Sequence, residues 1–205
     1  MRLRRCIRRT VALVVLGAGL TVSLSAGVIT QNLIGSATTG GSGFALGQSV
    51  TTPSGGPWDD LTFNWIASTG GPYSLGTLFL LTQQYTGTEA GLSGATTGFV
   101  ASTSNIVGNV WTFAPSVTIQ PASAYYLYMN TEFNGSVEVQ FSPTDVYAGG
   151  NAWQATSGGS YANLAPADLQ FQLQGDPVSG VPEPSTVILG IGGMVFLWLR
   201  RVTSR

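Results

Sequence analysis

Between Thr10 and Leu199 the chain contains no Lys, Arg or His, while all nine of its acidic residues fall inside that interval. A domain built from this stretch cannot close an ion pair, and the single cysteine, Cys6, lies outside it. Such a fold must be held by apolar burial and main-chain hydrogen bonding, since neither a salt bridge nor a disulfide is open to it. With 28 glycines among 205 residues and charged residues at only 8%, the stretch suits short strands joined by tight turns rather than a helix bundle. About 150 residues remain once the apolar ends are set aside, enough for one core.

Period-two alternation is clearest in Leu169-Gln170-Phe171-Gln172-Leu173-Gln174 and in Val137-Glu138-Val139-Gln140-Phe141, the pattern of half-buried strands. Further strands are predicted over Leu61 to Ile66, Thr77 to Gln83, Gly98 to Ser102, Val110 to Phe113, Val117 to Gln120, Tyr125 to Asn130 and Trp153 to Thr156. Turn signals separate them at Gly70-Gly71-Pro72, Pro121, Asn134-Gly135 and Gly149-Gly150. Roughly eight or nine short strands with no helical period predict an all-β fold over 28–177, an antiparallel β-sandwich of jelly-roll type. The sequence holds no strict repeat. Gly35 to Gly43 reads as a flexible lead-in, Thr86 to Gly98 as a long loop and Gly175 to Gly180 as a linker. Asn134-Gly135-Ser136 matches a glycosylation acceptor, but between two strand runs its Asn-Gly pair reads as a turn.

The basic residues all stand at the ends. Residues 1–27 have the three parts of a signal peptide: Arg2, Arg4, Arg5, Arg8 and Arg9, the apolar run Val11 to Leu20, and small residues at Ser23-Leu24-Ser25 and Ser25-Ala26-Gly27. A signal helix removed by signal peptidase is expected; the alternative is an uncleaved helix, for which the apolar run is short of the ~20 residues a span needs. The paired arginines hint at twin-arginine export. Cys6 precedes the apolar run, whereas an acylated cysteine follows it.

At the other end, Val181-Pro182-Glu183-Pro184-Ser185 leads into an uncharged run to Leu199, then Arg200, Arg201 and Arg205. The prolines keep the triplet extended, the shape a peptidase binds. The run would reach only ~22 Å as a helix, short for a bilayer core of ~30 Å and suited to a temporary anchor. Arginines beyond it hold the C-terminus in the cytoplasm. This tail resembles the PEP-CTERM sorting signal in its triplet at Pro182, Glu183 and Pro184, its Gly-rich apolar segment and its terminal arginine cluster. The alternative is a plain C-terminal anchor. The resemblance implies a Gram-negative type bacterium, a transmembrane helix over 185–199 held transiently in the inner membrane, and cleavage by an exosortase. It also implies an inner-membrane-anchored precursor that then reaches the cell surface or the medium. Ala148-Gly149-Gly150-Asn151-Ala152, Tyr161 and Asp168 to Gly175, with Leu75 to Gln83 and Val117 to Met129 fitting loosely, resemble the choice-of-anchor type R domains that precede such tails. That likeness implies a β-sandwich and an anchored surface role, and it points to no active-site residues.

The mature domain has no imidazole base, Schiff-base amine or guanidinium clamp, which removes most nucleophilic and phosphoryl-transfer mechanisms. It has nothing to neutralise phosphates, so nucleic acid is not an expected partner. Paired carboxylates among Asp59, Asp60, Glu89, Glu132, Glu138, Asp145 and Asp168 would serve a glycosidase only if two came within ~5 to 9.5 Å; otherwise they are solvated loop charges. Asp59 and Asp60, beside Pro57-Trp58, are the candidate calcium ligands. Trp58, Trp65, Trp111, Trp153, Tyr125, Tyr126, Tyr128, Tyr147 and Tyr161 are candidates for stacking on sugars, or else fill a core and its rim. Alternation puts Tyr126 and Tyr128 on one face of their strand and Tyr125, Leu127 and Met129 on the other. The expectation is a non-enzymatic surface or extracellular-matrix protein, structural or adhesive and linked to exopolysaccharide. The alternatives are a carbohydrate-binding module using Tyr126, Tyr128 and Trp153, a calcium-dependent adhesion domain, or a hydrolase.

Overall fold

The structure, a computed structural model, describes residues 26–40, 43–66, 75–130 and 138–178. The signal sequence before Ala26, the motif Pro182, Glu183 and Pro184, the apolar run 185–199, Arg200, Arg201, Arg205 and the Asn134-Gly135 turn lie outside the described residues. Within them the fold is all-β, with a single-turn 3-10 helix at Glu89–Gly91 and no helix long and apolar enough to cross a membrane.

Two larger sheets carry the architecture. The five-stranded sheet runs, in order, β1 (Gly27–Asn32), β14 (Phe171–Pro177), β4 (Trp58–Trp65), β8 (Val110–Thr112) and β7 (Ile106–Val107). The six-stranded sheet runs β12 (Ala162–Asn163), β11 (Ala152–Thr156), β3 (Phe44–Thr51), β9 (Ala124–Met129), β5 (Leu78–Leu81) and β6 (Phe99–Thr103). A smaller sheet pairs β13 (Asp168–Leu169), β10 (Glu138–Ser142) and β2 (Ala37–Gly40). Every strand pairing described is antiparallel.

The inner faces share one core, as in a sandwich. Phe63, Trp65, Trp111 and Phe171 come from the five-stranded sheet, and Leu46, Val50, Leu78, Leu80, Leu127 and Met129 from the six-stranded one. Phe63 meets Trp65 edge-on at 4.7 Å and stacks with Phe171 at 6.0 Å, both favoured ring geometries. The small sheet adds Val139 and Leu169 to the same core. Trp58, Trp65, Trp111 and Tyr125 belong to this core, so these four candidates for sugar stacking are spent on packing.

The alternating runs form strands close to their predicted limits, with four corrections. Val117 to Gln120 is no strand: only Ile119 pairs, exchanging main-chain bonds with Trp58 at 2.9 and 3.1 Å, and Pro115 and Pro121 flank it without donors. The run Leu169 to Gln174 is split, because Leu169 pairs with β10 while Phe171 onward pairs with β4 and β1; Gln170 hands the chain across. The lead-in contains β2, whose Ala37 pairs with Phe141. The linker does not begin at Gly175, which is buried within β14 and paired with Gly27.

β3 went unpredicted although it is central to its sheet. Its seven residues from Ala45 to Thr51 are buried up to Val50, so no polar face marks the alternation. Leu46, Gln48 and Val50 face one way, and the small Ala45, Gly47 and Ser49 the other. Gln48 is buried with its amide satisfied: Nε2 donates to Ser49 O at 3.0 Å, and Oε1 accepts from Leu169 N–H at 3.2 Å.

Gly47 stands between Tyr128 on β9 and Trp153 on β11 in the register. A Cβ there would fall 2.4 Å from Tyr128 Cδ1. The missing side chain lets two large rings, 6.2 Å apart, close over the central strand. Gly47→Ala is expected to cost roughly 1–3 kcal/mol through overpacking, read as a lower urea midpoint with an unchanged slope.

Candidate functional site

The outer face of the six-stranded sheet is apolar where a solvated face is the ordinary outcome. Ala45, Phe79, Leu81, Tyr128, Trp153 and Ala155 line it, and Tyr161 and Leu92 pack onto it from the connections. Tyr126 and Tyr128 share this face, as alternation requires, with rings stacked at 6.4 Å. Trp153 meets them edge-on at 6.5 and 6.2 Å. The three residues expected to form a sugar platform are thus brought together. As an open platform they fail, because Tyr128 is fully buried, Trp153 is 4% exposed, and only Tyr126 is partly accessible.

The cover is the connection from β5 to β6, residues 82–98, together with the turn after β11. Leu92 is the apolar plug of this otherwise polar connection. Thr88 and Ser160 form an isolated bridge, and Tyr161 N–H donates to Gly87 O at 3.0 Å. Tyr161 donates its hydroxyl to Met129 O. Tyr85 N–H donates to Tyr128 Oη at 3.2 Å, and the Tyr85 hydroxyl donates to Thr88 O at 2.9 Å.

Glu89 lies in this cover and is not the solvated loop charge expected. Its residue is 8% exposed; Oε1 accepts from Gly158 N–H at 3.0 Å, and Oε2 is buried without a hydrogen bond. Burial pushes the phenols of Tyr128 and Tyr161 well above their ordinary range, and the Glu89 charge raises Tyr161 further. Tyr85 is raised too, by burial first and Glu89 second. All three therefore stay protonated at ordinary pH, and the cluster offers neutral hydrogen bonding rather than proton transfer.

Asp168 is a second buried carboxylate, 1% exposed. Its Oδ2 accepts from Val146 N–H at 3.0 Å and Tyr147 N–H at 2.9 Å. That holds the segment in which Tyr147 packs edge-on to Phe171 at 5.1 Å and shares a hydrogen bond with Thr30 at 2.8 Å. Its carboxylate is committed to main-chain donors and is also no solvated loop charge. Asp145 is exposed beyond it, and the Glu132 and Glu138 side chains lie outside the described residues.

Asp59 and Asp60 are neighbours on β4, where Asp60 is exposed in a left-handed conformation at φ 48°. Asp59 stands across the register from Asp176, whose Oδ1 is buried without a hydrogen bond. Among the described residues, no group of three or more His, Cys, Asp or Glu side chains is arranged to hold a metal ion.

Compared with known protein families, curated proteins and solved structures, the chain matches none.

In the sequence Thr86 to Gly98 reads only as a long loop. The usable signal was Leu92, one bulky apolar residue in a Gly/Ser/Thr-rich connection, which needs a surface to cover.

Desolvation raises the Asp168 carboxyl above its ordinary value of 3.8, and the Asp145 charge adds to the rise, against the opposing main-chain bonds. The folded chain therefore holds this proton more tightly than the unfolded one. The stability due to this group is full below 3.8 and lost as pH rises through the native value. Subtracting the unfolding free energy of Asp168→Asn from that of the parent, between about pH 3 and 7, should give a difference that falls with pH. A flat difference would contradict the assignment.

Proposed function

We propose that this chain is an exported, non-enzymatic β-sandwich of jelly-roll type, delivered to the cell surface or extracellular matrix as a structural or adhesive component. In this reading signal peptidase removes the N-terminal segment, residues 185–199 hold the precursor in the inner membrane, and an exosortase acts at Pro182, Glu183 and Pro184. The observation that carries it is the order of parts in the tail: triplet, apolar run, terminal arginines.

The positions of the domain's ends support it. Gly27, where the signal would leave off, is the cross-strand partner of Gly175, a few residues ahead of the tail. Both tagged ends thus issue from one edge of one sheet, which lets a domain be threaded out and anchored without rearranging its core. The jelly-roll reading is supported by strand order: β1, β14, β4 and β8 in one sheet, and β3, β9, β5 and β6 in the other. Chain-consecutive strands among these eight change sheets at every step except β5 to β6, as in two interlocked Greek keys. The non-enzymatic reading is supported by the lack of His, Lys and Arg in 10–199, and by Asp168 Oδ2 and Glu89 Oε1 being taken up by main-chain donors.

Intact mass of the protein recovered separately from envelope and medium of its bacterium tests the sorting. The expected species begins near Ala26 to Val28 and ends near Pro184, and Glu183→Ala should leave uncleaved precursor in the envelope. A mature species retaining Arg205 would replace exosortase processing with a simple tail anchor.

A further inference from the structure

We propose that the cavity in the 82–98 cover is a binding site for a neutral saccharide. It measures about 340 Å³, within the range of small-ligand sites and at its lower end. Gln84, Tyr85, Thr86, Ser93, Thr96 and Thr97 supply its polar and aromatic lining. This site is distinct from Tyr126, Tyr128 and Trp153, none of which lines it, and the inference does not rest on the sorting tail.

The chemistry of the wall selects the ligand. No Asp, Glu, Lys, Arg or His lines the cavity. A charged ligand would give up water without meeting a counter-charge, whereas a polyol exchanges its hydrogen bonds with water for equivalent ones. The partners for those bonds are unspent. The side chains of Gln84, Thr86 and Thr97 are exposed and make no hydrogen bond with any other described residue. Ser93 and Thr96 instead shape the rim: Thr96 Oγ1 accepts from Ser93 N–H at 3.0 Å, and Ser93 Oγ from Ala95 N–H at 3.3 Å. A rim tied in this way keeps its shape without a ligand and lowers the ordering cost of binding.

Tyr85 supplies the apolar half of the site. It is partly exposed, its hydroxyl is held by Thr88 O, and its ring lies edge-on to Tyr128 and Tyr161, each at 6.1 Å. Gly87 is needed for that placement, since a Cβ there would fall 2.4 Å from the Tyr85 hydroxyl oxygen. A held aromatic ring beside an unspent amide and two unspent hydroxyls matches a sugar ring, which has an apolar C–H face and hydroxyls around its rim.

The full chain, purified in detergent so that the result is independent of processing, is titrated calorimetrically with neutral hexasaccharides. The probes are β-1,4-glucose, β-1,4-N-acetylglucosamine, α-1,6-glucose and α-1,4-glucose oligomers, with hexagalacturonate as the anionic comparator. Saturable binding to at least one neutral probe is expected. It should weaken at least roughly tenfold in the double variant Gln84→Ala/Thr97→Val, the equivalent of one good hydrogen bond. Both positions are exposed, so an unchanged unfolding midpoint should accompany the loss. Absence of saturable binding to every neutral probe, binding undiminished in the double variant, or tighter binding of hexagalacturonate would each overturn the proposal.

Discussion

Every carboxylate in this domain has to be accommodated without a basic side chain to pair with. The consequence is visible in how the buried ones are treated: Asp168 is held by two main-chain N–H groups and Glu89 by one. Hydrogen bonds to backbone donors stand where other proteins use ion pairs. Each also draws together segments far apart in sequence, Asp168 gathering the connection before β11 and Glu89 joining the two connections that cover the outer sheet face. Asp60 and Asp145 stay exposed, where water screens them.

With cohesion left to burial, the six-stranded sheet has been made apolar on both faces. Its inner face meets the other sheet, and its outer face carries a second, aromatic core roofed by residues 82–98 and the turn after β11. Small residues on β3 permit this, because Tyr128 and Trp153 can meet above Gly47 only where no side chain rises between them. The roof in turn makes the cavity beside Tyr85. The same packing that buries Tyr128 and Trp153 therefore leaves a different aromatic, with fresh polar groups, at the surface.

The edge of the five-stranded sheet brings the two ends of the described domain together. β1 and β14 pair along most of their length, so the start and end of the described domain are neighbours. A domain closed in this way keeps its core indifferent to what is attached at either end.

Much of this was legible in residue order. The absence of cations, the all-β class, most strands, and the division of β9 into Tyr126 and Tyr128 against Tyr125, Leu127 and Met129 all follow from composition and from the two-residue repeat of a strand. β3 was not legible, since a strand buried on both faces shows no alternation, and β2 hid in a glycine-rich stretch that looks like a linker. Nor could the sequence tell that Glu89 is covered, that Gln170 passes the chain between sheets, or that Gly27 meets Gly175. Periodicity tells on which side of a strand a residue lies, but not what will lie on top of it. That is decided by contacts between distant segments, here the descent of 82–98 onto the outer sheet, and these exist only once the chain has folded.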